Sequence, residues 1–106
     1  MPKTYDLLFQ PIAKQDMVEI VKYIGIDLAN SEAADKLAEN MIRAAEKLRK
    51  FPYRNRVYKP IRLLERDYRG QPVQKYILFY YVDEDKGLVT IARVLHSSQD
   101  FSNLLK

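Results

Sequence analysis

The stretch YILFYYVDEDKGLVTIARVLH, residues 76–96, decides the fold. Tyr76, Ile77, Phe79, Tyr80 and Tyr81 are aromatic or branched residues that suit a pleated, half-buried surface. The strand they predict runs from Val73 to Val82. Asp83-Glu84-Asp85-Lys86-Gly87 is a turn, with Gly87 free to take a positive φ. Leu88 to His96 is then a second strand, and the pair is an antiparallel hairpin. Along the first strand, period-two alternation puts Tyr76 and Tyr80 on one face and Tyr81 on the other.

Upstream, Arg69-Gly70-Gln71-Pro72 reads as a turn and Ile61 to Tyr68 as a strand of imperfect alternation. Tyr53 to Pro60 is a basic loop. Phe51-Pro52 ends a helix, because proline disfavours helical backbone in its predecessor. In that helix Ala34, Leu37, Ala38, Met41, Ala45 and Leu48 form one apolar stripe. Ser31 is its expected cap. Glu32 and Asp35 suit the positive end of its dipole, and Lys47, Arg49 and Lys50 the negative end. An earlier helix starts at Pro11 and carries Met17, Ile20, Val21, Ile24 and Leu28 on one face. Asn30-Ser31 separates the two helices, so an antiparallel helical hairpin is expected. Thr4 to Phe9 opens the chain as a short strand.

The expected order is β-α-α-β-β-β: an N-terminal strand, the helical hairpin, then three antiparallel strands. The hairpin buries its stripe on one sheet face, giving a two-layer α+β domain. No helix remains for the other face except a turn around Phe101, Leu104 and Leu105, so that face is expected to be polar, functional or covered by a partner. The 106 residues suit a single domain, 1–106.

The chain has no cysteine and one histidine, which excludes disulfides, zinc–thiolate sites and cysteine nucleophiles and leaves no His-rich metal site. No metal or cofactor is implied. No apolar run is long enough for a bilayer, and no signal-peptide core follows Met1, which fits a cytoplasmic protein. The net charge of +4 hides an asymmetry. Residues 43–76 carry eleven basic and three acidic side chains, +8, and the rest carries −4. Such segregation attracts polyanions or acidic partners; a solvated face is the plainer alternative.

Metal-free cleavage of RNA needs a base, an acid and cations on the phosphate. His96 is the candidate acid or base, at the end of its strand. Arg93, three residues before it, points the other way by alternation, so the two form a simple dyad only where a bulge or twist intervenes. Arg62 and Arg66, four apart, share a strand face and are candidate phosphate clamps. Arg54, Arg56, Lys59 and Lys75 complete the candidate nucleic-acid or target-binding set.

The sequence resembles the RelE/ParE superfamily of bacterial type II toxin–antitoxin toxins over roughly residues 5–105. The resemblance rests on Leu48-Arg49-Lys50-Phe51-Pro52, on Tyr76-Ile77-Leu78-Phe79-Tyr80-Tyr81-Val82, and on Val89-Thr90-Ile91-Ala92-Arg93-Val94-Leu95-His96 followed by Asp100. It implies a growth-inhibiting toxin neutralised by a cognate antitoxin, with operator DNA bound only through their complex. RelE-like members cut mRNA on the ribosome and usually hold a basic residue after the first tyrosine of the central strand. Here that position is Ile77, and the positions after the last strand are Ser97 and Ser98. ParE-like members poison DNA gyrase without cutting RNA and commonly end in Val-Leu-His with a following Asp, as here. The resemblance therefore implies inhibition of gyrase by binding. The alternative is a metal-independent, ribosome-dependent endoribonuclease using His96.

Overall fold

A computed structural model of the chain describes residues 3–59, 64 and 66–105. Strand β1 is Asp6–Phe9, α1 Pro11–Lys22, α2 Ser31–Leu48, β2 Arg69–Val73, β3 Tyr76–Asp83, β4 Leu88–His96 and α3 Phe101–Leu104. The sheet order is β1-β4-β3-β2, with β1 parallel to β4 and the other pairs antiparallel. This is the β-α-α-β-β-β order and α+β class expected from the sequence.

Pro11 occupies the first turn of α1, where its missing N–H leaves no gap. After Lys22 the helix widens into a π-helical turn, Tyr23–Asp27. An extra residue per turn rotates everything beyond it. Met17, Ile20 and Ile24 still pack on the core, but Leu28, expected on the same stripe, is 56% exposed. The cap of α2 also differs from expectation. Asn30, not Ser31, accepts from the Ala33 N–H at 3.1 Å. Either residue type serves as a cap; the helix starts where the chain leaves the non-helical backbone of Asn30.

Ala34, Leu37, Met41, Ala45 and Leu48 are the buried stripe of α2. They meet Val73, Leu78, Tyr80, Val89, Ile91 and Val94 from the sheet. Fully burying each large aliphatic residue stabilises the fold by about 1.5–3 kcal/mol relative to leaving it exposed.

The second sheet face is not open. Phe79, Ala92, Leu95 and Leu105 are buried there, with Tyr58, Phe101 and Leu104 packed over them. The Phe101 ring lies 4.7 Å from that of Phe79 and 5.9 Å from that of Tyr58. The short C-terminal helix and the loop after α2 cover the face together, which corrects the expectation of an uncovered sheet.

The expected strand at 61–68 also moves. Ile61, Arg62, Leu63 and Glu65 lie outside the described residues, and Leu64 and residues 66–68 are not strand. The expected turn at 69–72 is instead strand β2, and Gln74 and Lys75 make the turn, Gln74 with φ 55°. Gly70 and Pro72 suggested a turn because both usually interrupt strands. Here β2 is an edge strand, where a proline without an N–H is tolerated. At the other hairpin Gly87 takes φ 61°, as its position in the turn required.

Candidate functional site

The pairing Tyr76↔His96 closes one end of the β3–β4 ladder. At this turn end, the Ser97 N–H donates to the Lys75 carbonyl at 2.8 Å, tying the two chain crossings together. The rings of Tyr76 and His96 meet edge to face, 5.3 Å apart at 89°. Burial pushes the Tyr76 phenol up from its ordinary value. The His96 N–H donates to Gln99 Oε1 at 2.7 Å. The Ser98 N–H donates to His96 Nδ1 at 3.1 Å, and Ser98 Oγ lies 2.7 Å from the same nitrogen. A backbone N–H aimed at Nδ1 makes that atom an acceptor, which leaves the proton of the neutral ring on Nε2.

Beyond the ring opens a cavity of about 780 Å³, lined by Tyr23, Ile24, Leu37, Lys75, Tyr76 and His96 among others. A smaller one of about 330 Å³ adjoins it, with Asp16, Glu19, Tyr23, Tyr76, Arg93 and His96 in its walls. The arrangement can hold an imidazole in a set tautomer beside one ammonium group. Among the described residues it does not offer a free guanidinium. Arg93 donates from Nε to Asp16 Oδ2 at 2.8 Å and from Nη2 to Asp16 Oδ1 at 3.0 Å. Its Nη1 donates to the Leu104 carbonyl at 3.2 Å. The Asp16 hydrogen bond holds the guanidinium above its ordinary pKa.

Asp16 also accepts from the Val94 N–H at 3.0 Å. Strand β1 ends opposite Ile91, so beyond that point β4 has no neighbour on this side. The Asp16 carboxylate stands where a strand carbonyl would be. The pairing shift between Phe79 and Tyr80, which leaves Ala92 without a partner, turns Arg93 towards this edge. Asp16 escaped the sequence reading. Its signal was present: with Ala13 and Ile20 it lies on the inner face of α1, and a carboxylate there calls for a buried cation.

The basic candidates do not form one clamp. Arg54 lines a cleft between α2 and β2. Arg56 lies on the other side of the sheet, beside Phe101. Lys59 is exposed on the same loop. The Arg66 guanidinium lies over the Tyr81 ring, 4.4 Å from its centre. Arg62 lies outside the described residues. Of the described candidates, Lys75 alone shares a cavity with His96. Among the described residues no group of His, Asp and Glu is placed to hold a metal ion. No helix among them is long and apolar enough to cross a membrane.

A helical hairpin over one face of a four-stranded sheet, in the order β-α-α-β-β-β, is the fold of the small α+β toxins of the RelE/ParE superfamily. Within it the particular family follows from the sequence: the model of the ParE toxin of the type II toxin–antitoxin system, parDE, matches residues 7–101. The chain belongs to that family. Among solved structures it is similar to a chain of the chromosomal ParDE toxin–antitoxin system from P. aeruginosa, with a TM-score of 0.70 and 14% identity over 89% of this chain and 97% of that one. It is similar to a chain of the RelBE2 toxin–antitoxin complex from Mycobacterium tuberculosis, with a TM-score of 0.59 and 23% identity over 91% and 94%. The isolated E. coli RelE toxin gives 0.53 and 17%, covering 94% of each chain. At these identities the likeness is one of fold. No curated protein sequence matches the chain.

Proposed function

We propose that this toxin, one domain over residues 1–106, arrests growth in the cytoplasm by binding DNA gyrase. In this reading a cognate antitoxin neutralises it, and operator DNA is bound through their complex. The observation that carries the reading is the state of the cations around His96. Arg93, the guanidinium nearest in sequence, has its fork occupied by Asp16 and the Leu104 carbonyl. Ile77 packs against the Phe79 cluster on the covered face, and Ser97 and Ser98 follow the strand. Phosphoryl transfer from RNA calls for cations on the developing charge, and among the described residues a single lysine, Lys75, is at hand in the cavity. The match to the ParE toxin family supports the same reading.

One feature favours a second reading. His96 presents Nε2 beside Tyr76 and Lys75 in a cavity large enough for a nucleotide, as a ribosome-dependent endoribonuclease would need. The two readings separate in a translating extract supplied with a reporter mRNA, run beside a supercoiling assay on purified gyrase. The gyrase reading expects intact message and blocked supercoiling. Codon-phased cuts with unaffected supercoiling would replace it with the nuclease.

A further inference from the structure

The cleft between α2 and β2 has a volume of about 350 Å³; it meets the His96 cavity at Gln74 but contains neither His96, Tyr76 nor Lys75. Arg43 and Lys47 project into it from α2, Arg54 from the following loop, and Asn40 and Gln74 add amides. Gln71 forms part of the wall, with its own amide turned to Asn55 and the Pro72 carbonyl. We propose that this cleft is a phosphodiester track, through which the toxin itself contacts the backbone of a nucleic acid.

The first ground is that these three cations are uncommitted. Several other positive side chains are held by partners: Lys3 by Glu84, Arg49 by Glu46, and Arg93 by Asp16. Arg69 donates to the Asn55 carbonyl and lies over Tyr53. Among the described residues Arg43, Lys47 and Arg54 have no ion pair. The acids nearest to them on α2, Glu39 and Glu46, line the adjoining surface on the other side of Arg43, and Glu46 is paired with Arg49.

The second ground is spacing. Arg43 and Lys47 are one helical turn apart, about 5–6 Å between Cβ atoms. Such cations lie along a line and do not converge on one point, which suits successive phosphates better than a single ion. The third is the lining. Ala44, Pro72 and Val73 are its apolar members, and Val73 is buried in the core. An acidic peptide docks by seating apolar side chains in pockets, and this cleft has none to receive them. Phosphate contacts need guanidinium, ammonium and amide donors, which it has. The inference needs neither gyrase nor an antitoxin and stands whichever activity the His96 rim has.

Fluorescence anisotropy of the purified toxin with a short labelled DNA duplex, across a chloride series, tests it. Arg43→Gln/Lys47→Gln/Arg54→Gln should lower the slope of log affinity against log salt by about 3, near 0.9 for each phosphate that is no longer neutralised. A control with equal charge loss on exposed residues of α1 and α2, Lys14→Gln/Lys22→Gln/Lys36→Gln, should keep the wild-type slope within about 1. The single variants Arg43→Gln and Arg54→Gln, each expected to remove about 1, carry the test if the triple variant does not fold. Equal losses in both triple variants, or no wild-type binding at physiological salt, would overturn the proposal. So would displacement of the duplex by inorganic phosphate well beyond chloride of the same ionic strength, since that marks a site for one ion.

Discussion

At the hairpin end of the sheet, Glu84 accepts from Lys3 Nζ at 2.7 Å, from Tyr5 OH at 2.7 Å and from Tyr53 OH at 2.5 Å. These donors, Lys3 first, hold its carboxyl down at about 2, and the same carboxylate pushes the Tyr53 phenol up to about 12. The N-terminal segment, the loop after α2 and the β3–β4 turn meet in that one group. At the opposite, turn end, Lys75, Arg43, Lys47 and Arg54 face cavities without a carboxylate of their own, and His96 keeps Nε2 free of any protein partner among the described residues. Polar groups that satisfy one another hold a fold together. Those left over at a concave surface are the ones available to a partner.

The largest effect should come from the latch beside the turn end. Asp16→Ala leaves the Arg93 guanidinium largely buried and unpaired, at 18% side-chain exposure. Unfolding free energy should fall by about 3 kcal/mol, the low end for breaking a buried pair. A loss below about 1 kcal/mol in urea unfolding would mean that the latch is ornamental.

Next comes Tyr80, fully buried on the helix side. Its hydroxyl donates to the Pro52 carbonyl at 2.7 Å and accepts from Asn55 Nδ2 at 3.2 Å. Tyr80→Phe strands that carbonyl and should cost about 1–2 kcal/mol by thermal unfolding.

A smaller effect belongs to Glu84, which is exposed. Its folded pKa is depressed, so its stabilising contribution is complete above the ordinary value of 4.5 and is lost as pH falls from there towards about 2. Glu84→Gln should flatten the acid limb of the stability curve across that window. An unchanged limb would show that the hairpin end is held by other contacts.

Smallest of all is the expected effect of His96→Ala on toxicity in cells, which is none under the gyrase reading. A fall of about 10²–10⁴ in activity is what removal of a catalytic acid or base would give.

The sequence carried the elements whose periodicity is local. The β3–β4 hairpin, the α2 stripe and Gly87 at the turn follow from alternation, 3.6-residue spacing and one backbone requirement. What it did not carry depends on where an element sits in the sheet. Pro72 looks like a turn residue until β2 is known to be an edge. Likewise the tail was legible as a turn around Phe101, Leu104 and Leu105, but that it closes the second face follows only once β3 and β4 present Phe79 and Leu95 to it. For the site, His96 was legible as the sole histidine at a strand end. The +8 segment suggested one basic face, but the sheet divides it, with Arg54 on the helix side and Arg56 and Arg66 on the other. The Glu84 cluster joins residues 3, 5, 53 and 84, and no short-range pattern announces it.

The most direct test of the contrast between the two ends is inhibition of gyrase supercoiling by three proteins: wild type, Lys75→Glu at the turn end, and Lys3→Gln/Glu84→Gln at the hairpin end. Wild type and the hairpin-end variant should inhibit alike, and the turn-end variant should lose inhibition. Equal inhibition by all three, or loss confined to the hairpin-end variant while it remains folded, would contradict the assignment of target binding to the turn end.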